Sequence, residues 1–248
     1  MTSERIVLTV WRGVRSRLVA ARRRVRELLG RASPPVPPRR EHHEAYWSQV
    51  EFLQPQFVDE EASILAGHVP DRYRRIADLV PGETVLEIGA GEGVLSLHLA
   101  EHKHHVIALD VNALRCQKAR ELQRAWDGLG RRVNNCRIVH GSVLDNLELL
   151  RGVDTVVANR VIYHFQDDVH PIFAAIADNR VDCIVLCGNA SKARRWKEQG
   201  PAASPLGRHL RLATLQGMTE LLGVYGYSVT KQIRRGDPIV VGRRQGGN

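Results

Sequence analysis

The chain has 248 residues, of which 43% are hydrophobic and 25% charged, a composition typical of one globular domain with an appendage. The net charge of +9 would suggest nucleic-acid binding, but residues 1–40 hold eleven arginines and two glutamates, while the remainder holds 25 basic and 25 acidic residues. The basic character therefore belongs to an N-terminal arm, and the body is neutral. No run of eighteen apolar residues occurs, so we expect no membrane-spanning helix.

The first thirty residues have the pattern of a basic amphipathic helix. Apolar side chains recur at alternating spacings of four and three, which places them within an arc of about 100° on a helical wheel. These apolar positions are Val7, Trp11, Val14, Leu18, Ala21, Val25 and Leu28. Arginines flank or oppose them, which is typical of helices that lie at an anionic membrane surface. We therefore expect a cytoplasmic protein held peripherally on a membrane; the alternatives are packing on the body or a partner, an organelle transit peptide, and an RNA-contacting arm.

Two further segments precede the main domain. Residues 31–41, rich in Pro and Arg, are predicted to form an extended linker. Residues 42–71 are predicted to form a helical cap. Within this cap, His42, His43 and Glu44 are adjacent and would point in different directions on a helix, so we interpret them as solvated and expect no metal. The main domain is predicted to span residues 72–248.

The rest of the chain alternates helical patterns with short apolar runs. A helix is expected at 71–79, and strands are expected at 84–88, 106–110, 136–140, 153–158, 183–187, 227–233 and 238–241. Helical stretches separate the first five strands, which indicates a mostly parallel sheet covered on both faces. Only residues 234–237 separate the last two, which is too short for a parallel crossover and predicts an antiparallel hairpin. The predicted fold is therefore α/β and doubly wound, with seven strands.

The four cysteines have no zinc-like spacing, and we expect reduced thiols in an intracellular compartment. Cys183 and Cys187 lie four apart in an apolar run, so on a strand they would face the same side of the sheet. Both are predicted to be core residues.

A glycine-rich segment at residues 85–93, Val-Leu-Glu-Ile-Gly-Ala-Gly-Glu-Gly, joins the first strand to a helix. Its glycines allow a sharp turn and a close approach to a ligand. The next strand ends in Asp110, nineteen residues after Gly91, where a carboxylate can accept hydrogen bonds from a ribose diol. A nicotinamide-binding domain would share these features. Glu87 inside the first strand, the Gly-x-Gly-x-Gly pattern and the final hairpin argue against that class.

In these parts and their order, from Tyr73 to Gly242, the sequence resembles the class I S-adenosylmethionine-dependent methyltransferases, in particular the small-molecule branch. The resemblance implies a Rossmann-like fold and S-adenosylmethionine as cofactor. It implies that the glycines line the methionine portion, that Asp110 holds the ribose, and that residues 141–143 contact the adenine. The implied cofactor-binding residues are Glu87, Gly89, Ala90, Gly91, Gly93, Asp110, Val111, Ser142, Val143, Asn159 and Arg160. Many members carry Asp where Ser142 stands, so the adenine amine contact is left open between Ser142, Asp145 and backbone.

The segment after the fourth strand, residues 159–165, lies where this superfamily places groups near the acceptor. The resemblance makes His164, Tyr163 and Asn159 the catalytic candidates, and His164 is the preferred base because an imidazole titrates near neutrality. Asn189 is a weaker candidate. The basic segment 191–211 either covers the acceptor pocket or is a solvated loop; in the first case its charge favours an anionic acceptor.

The expected activity is methylation of a small molecule, sugar or glycolipid at a membrane surface. The alternatives are an RNA or protein methyltransferase that uses the basic arm, and a non-catalytic cofactor-binding scaffold. The fold alone does not name the acceptor.

Overall fold

The structure is a computed structural model that describes residues 61–200 and 207–246. The predicted helix at 1–30, the linker at 31–41 and residues 42–60 of the predicted cap lie outside these ranges. The division into an arm, a linker, a cap and a main domain therefore stays a prediction.

Seven helices and seven strands make up the described ranges, together with short 3-10 turns. The helices are α1 (Glu61–Leu65), α2 (Asp71–Ala77), α3 (Val94–Ala100), α4 (Ala113–Gly128), α5 (Val169–Asp178), α6 (Ala190–Gln199) and α7 (Leu215–Val224). The strands are β1 (Thr84–Ile88), β2 (His105–Asp110), β3 (Cys136–His140), β4 (Thr155–Asn159), β5 (Cys183–Cys187), β6 (Tyr227–Ile233) and β7 (Ile239–Arg244). In these ranges no helix is long and apolar enough to cross a bilayer.

The strands form one sheet in the order β3-β2-β1-β4-β5-β7-β6. The first five are parallel, whereas β7 runs antiparallel to both β5 and β6. This arrangement confirms the predicted doubly wound sheet with a C-terminal antiparallel hairpin. The carboxyl ends of β1, β2, β4 and β5 consequently share one edge, where ligands bind in open α/β sheets.

Strand limits differ from the predictions at three places. The second strand begins at His105, the fourth spans Thr155–Asn159, and β7 continues to Arg244 instead of ending at 241. Because β7 lies between two partners, its backbone stays hydrogen-bonded after the apolar run ends, and Arg243 pairs with Cys183 across the ladder. Backbone pairing therefore extends β7 beyond the hydrophobic signal.

The core lies on both faces of the sheet, because successive strand residues point to opposite sides. One buried cluster combines Val85, Val157 and Val185 with apolar side chains of α2, α3 and α4. Cys183 and Cys187 belong to this same cluster, which confirms their predicted common side. All four cysteines are buried and free.

Candidate functional site

The backbone of the glycine loop is tied to the end of β2. The amides of Gly89 and Ala90 both donate to the carbonyl of Leu109, at 2.8 and 3.0 Å. The amide of Gly91 donates to Oδ2 of Asp110 at 2.7 Å. These three bonds place the loop directly beside the Asp110 carboxylate at the carboxyl edge of the sheet.

Two glycines of the loop have no room for a side chain. Gly89 has φ of +74°, and a Cβ there would lie 2.4 Å from Cγ2 of Val161. Gly93 has φ of +78° at the start of α3, and its Cβ would lie 2.9 Å from Cβ of Ala119. Left-handed backbone favours glycine, and the close packing adds a second reason at both positions. The loop is therefore held in one shape by its neighbours.

Asp110 lies at the centre of this arrangement. Its side chain is buried, and its Oδ1 accepts from the amide of Asn112 at 2.9 Å while Oδ2 accepts from Gly91. Burial raises the pKa of Asp110, and the two amides and nearby Arg115 counteract that rise. Each carboxylate oxygen has a second lone pair, so Asp110 can also accept hydrogen bonds from a diol.

Glu87 supplies a second buried carboxyl group beneath the loop. It is 1% exposed, and its Oε2 accepts a hydrogen bond from the hydroxyl of Ser96 at 2.5 Å. Burial raises the pKa of Glu87 to about 8, and the charge of Asp110 adds to the rise. A buried carboxyl pair beside the glycine amides suits a ligand that presents hydrogen-bond donors, such as a ribose diol. These residues therefore fit S-adenosylmethionine.

The loop after β3 is brought to the same edge. The amide of Gly141 donates to the carbonyl of Asp110 at 2.9 Å. The hydroxyl of Ser142 accepts from the amide of Leu144 at 3.3 Å and begins the 3-10 turn Val143–Asp145, so it acts as a helix cap. The carbonyl of Val111 contacts Nε2 of His140 at 3.1 Å. The residues predicted to contact adenine are thus assembled together, and their binding role stays a prediction.

The segment after β4 forms the neighbouring part of the edge. Asn159 ends β4 and is partly exposed. Arg160 follows with φ of +58°, and its amide donates to the carbonyl of Cys187 at 2.8 Å. Its Nε lies 2.9 Å from Oδ2 of Asp237, in the turn between β6 and β7. This ion pair links the end of β4 to the terminal hairpin.

Tyr163 and His164 lie in the 3-10 turn Ile162–His164. Tyr163 is 2% exposed, and burial raises its pKa. The two rings are in contact, with centroids 4.4 Å apart. Tyr163 is therefore enclosed by its neighbours, whereas His164 is partly exposed. The catalytic roles of Asn159, Tyr163 and His164 stay predictions.

One alternative predicted a solvated loop over residues 191–211, but the described part of this basic segment is largely helical. It contains most of α6, and its last residues belong to the 3-10 helix Gly207–Ala213. That 3-10 helix crosses the end of β5 closely enough that a Cβ on Gly188 would lie 2.2 Å from the carbonyl oxygen of Ala213. Regular structure therefore lies against the carboxyl end of β5.

Two residues of this edge were not named individually by the sequence analysis, although Lys192 lies within the basic segment 191–211. Asp237 accepts from the amide of Ala190 at 2.9 Å in addition to pairing with Arg160. Lys192, in the first turn of α6, places Nζ 4.9 Å from the ring centroid of Tyr163. Both belong to elements that meet the site only after folding; the only signal for Asp237 was its position in the predicted hairpin turn.

One group of metal-ligand type occurs in the described ranges. His98, Glu101 and His102 bring ligand atoms within 4.8 Å of one another at the far end of α3 from the glycine loop. Arg131 holds the Glu101 carboxylate through two hydrogen bonds and stacks 3.6 Å from the Trp126 ring. Because a guanidinium already neutralises the carboxylate, we interpret this group as a structural contact.

Comparison with known proteins agrees with this geometry. Residues 85–181 match the family model described as Methyltransferase domain. The matched region begins in β1 and includes the glycine loop, Asp110 and the segment after β4. No curated protein sequence matches the chain.

Several solved structures share the fold. Magnesium protoporphyrin IX methyltransferase from Synechocystis PCC 6803, with bound S-adenosylhomocysteine, is 20% identical, with a TM-score of 0.58 over 84% of this chain and 100% of that one. A TehB-like S-adenosylmethionine-dependent methyltransferase from Corynebacterium glutamicum is 16% identical, with a TM-score of 0.51 over 84% and 100%. An O-methyltransferase family protein from Burkholderia thailandensis is 14% identical, with a TM-score of 0.55 over 83% and 60%. At such identities the likeness concerns the fold.

Proposed function

We propose that this chain, a class I S-adenosylmethionine-dependent methyltransferase, methylates a small-molecule acceptor at the carboxyl ends of β4 and β5. Its place in that superfamily follows from the family match of residues 85–181 and from the order of the seven strands. The observation that carries the proposal is the hydrogen bond from Gly91 to Asp110, since it joins the glycine loop to a buried carboxylate.

The cofactor supplies a reactive electrophilic methyl group, so the protein has to bind and align its two ligands. In the proposed arrangement Asp110 holds the ribose hydroxyls and Glu87 lies beneath the methionine end. Arg160, Tyr163 and His164 lie on the acceptor side. A hydroxyl acceptor loses a proton during transfer, and His164 is the proposed base because it is partly exposed there.

Two observations support a small acceptor, such as a sugar or glycolipid. The fold is shared with a methyltransferase of magnesium protoporphyrin IX and with an O-methyltransferase family protein. The acceptor side is also bordered by α6 and by the 3-10 helix Gly207–Ala213, which restrict its access. The basic residues of α6 favour an acceptor that carries negative charge.

The proposed place of action is the cytoplasmic surface of an anionic membrane. The support is the sequence pattern of residues 1–30, where arginines flank an apolar stripe that includes Trp11. A glycolipid acceptor would be presented to the enzyme at such a surface.

Calorimetric titration with S-adenosylmethionine and S-adenosylhomocysteine tests the cofactor assignment. We expect micromolar binding that is lost in Gly91→Arg and Asp110→Ala, while Asp178→Ala, which changes an exposed carboxylate at the end of α5, binds normally. Transfer from labelled S-adenosylmethionine to a panel of anionic and neutral small molecules, RNA and protein would then identify the acceptor class. Lack of cofactor binding by folded protein would overturn the enzyme assignment, and labelling of RNA or protein alone would overturn the small-molecule proposal.

A further inference from the structure

Lys192 occupies an unusual place for a lysine. It lies in the first turn of α6, immediately after the carboxyl end of β5, and its side chain is half-buried. Its ammonium lies over the ring of Tyr163, 4.9 Å from the centroid. Tyr163 follows β4 and Lys192 follows β5, so the ammonium lies beside the segment after β4, on the side where the acceptor is proposed to bind.

The charge of Lys192 has no acidic partner in the part of the chain that the structure describes. No carboxylate of residues 61–200 or 207–246 forms an ion pair with its ammonium. Burial lowers the pKa of Lys192, and Arg195 lowers it further. Arg160 on the same edge, in contrast, is paired with Asp237.

This placement is electrostatically unfavourable in two ways. A cation in the first turn of a helix opposes the helix dipole, and removing an ammonium from water costs free energy unless a counter-charge is supplied. The contact with Tyr163 offsets only part of this cost, and Oδ1 of the nearby Asn189 accepts from the backbone amide of Lys192. A lysine with only a structural role would be more stable with its ammonium extended into water.

We propose that Lys192 binds an anionic group of the methyl acceptor, a carboxylate or a phosphate. This inference rests on the proposed function and names the residue that selects the acceptor class. The bound anion supplies the missing counter-charge, and the ring of Tyr163 fixes the ammonium in position. Lys192 thereby orients the acceptor and takes no part in the transfer itself.

The test uses the full-length protein saturated with S-adenosylhomocysteine, with inorganic phosphate and acetate as probes against chloride at equal ionic strength. Isotope-coded acetic anhydride and mass spectrometry give the labelling rate of each lysine. At an anion concentration about twice the Kd, labelling of Lys192 slows about threefold, because its rate falls by the factor 1 + [L]/Kd. Lys197, which is exposed on the same helix, is the internal control. Phosphate-selective or acetate-selective protection distinguishes the two anion classes, and equal rates for Lys192 in all three salts would overturn the proposal.

Variants separate this inference from the cofactor assignment. Because the anion binds the folded protein, it should also raise Tm. Lys192→Met keeps the apolar stem and should lose this rise, whereas Lys192→Arg and Lys197→Met should keep it. All three variants should still bind S-adenosylhomocysteine in the calorimeter. If the protein without substitutions does not bind S-adenosylhomocysteine, the proposed function is contradicted. If Lys192→Met keeps the anion-induced rise in Tm, only the role proposed for Lys192 is contradicted.

Discussion

At the scale of single residues, the two buried carboxyl groups of Glu87 and Asp110 differ in how they are satisfied. Asp110 accepts hydrogen bonds from two backbone amides, whereas the bond to Glu87 comes from the hydroxyl of Ser96. When both are ionised, the two negative charges repel each other, and Glu87 is the more deeply buried of the two. The two backbone amides favour the charged form of Asp110, whereas Glu87, with a pKa of about 8, keeps its proton near neutral pH.

This protonation state predicts a pH-dependent stability. With a pKa of about 8 in the folded protein, against 4.5 when unperturbed, Glu87 retains a proton that the unfolded chain releases. The free energy of unfolding should therefore fall as pH rises from about 5 to about 8, by up to about 1.4 kcal/mol per pH unit from this group. Glu87→Gln should remove this contribution, as measured by urea unfolding of cofactor-free protein at several pH values. An unchanged slope would show that Glu87 is ionised when folded; Glu121→Gln, on the exposed side of α4, is the control.

The packing around Gly89 predicts that its substitution by alanine lowers stability by more than backbone strain alone would. Gly89 and Gly152 have similar φ values of +74° and +70°, but a Cβ at Gly152 would meet no atom within 4 Å. Gly152→Ala should therefore lose about 1 kcal/mol of stability, and Gly89→Ala about 2–4 kcal/mol because Val161 is displaced. Denaturant unfolding gives both values, and Gly89→Ala should also weaken S-adenosylhomocysteine binding. Equal losses would mean that Val161 moves aside without cost.

The sequence predicted which candidate-site residues lie together where those residues belong to one local pattern. The glycines, Glu87 and Asp110 were identifiable because their spacing follows from a strand, a turn and the next strand. Asp237 was not, and Lys192 was included only as part of the basic segment 191–211, since their neighbours at the site come from distant parts of the chain. Contacts of this kind depend on tertiary packing, which spacing along the chain does not encode.

At the scale of elements, Asp237 joins three parts of the fold. Its carboxylate pairs with Arg160 after β4, accepts from the amide of Ala190 at the start of α6, and belongs to the turn before β7. It is 15% exposed as a side chain, so its hydrogen bonds are little weakened by water. The hairpin turn thereby holds α6 and the segment after β4 in place.

Substitution of Asp237 should reveal this link. Asp237→Ala leaves the amide of Ala190 without its acceptor and should lower the unfolding free energy by about 1–3 kcal/mol. Asp237→Asn keeps an acceptor oxygen and should cost less, since Arg160 is 43% exposed and its ion pair is partly screened. Asp182→Ala, which removes a more exposed ion pair with Arg244, should cost under about 0.5 kcal/mol. Hydrogen exchange should also accelerate in α6 for Asp237→Ala; unchanged exchange there would contradict the link.

The elements themselves were well predicted, and their order in space was only partly so. Runs such as 183–187 are apolar throughout because both faces are covered, and β5 has those limits. The hairpin of β6 and β7 followed from its short turn. Which of the two strands pairs with β5 could not be predicted, because apolar pattern and turn length are the same for both outcomes.

At the scale of the whole molecule, charge is divided unevenly along the chain. The excess of nine positive charges lies in residues 1–40, and the remainder is neutral. Removal of residues 1–40 should abolish sedimentation with anionic vesicles while leaving S-adenosylhomocysteine binding intact. Neutral vesicles provide the control. If the shortened chain still binds anionic vesicles, the membrane role of the arm is refuted. If the full chain binds RNA in a salt-sensitive way and the shortened chain does not, the nucleic-acid alternative is favoured.

The position of β7 inside the sheet also affects how the protein emerges from the ribosome. Strand β5 is buried along its whole length, yet one of its edges is paired only by β7, which is synthesised about 50 residues later. At about 5–20 residues per second, the edge of this apolar strand stays open for about 3–10 s during translation. An unpaired apolar edge can recruit other chains. Nascent chains stopped before Ile239 should therefore be the form of this protein that most depends on chaperones.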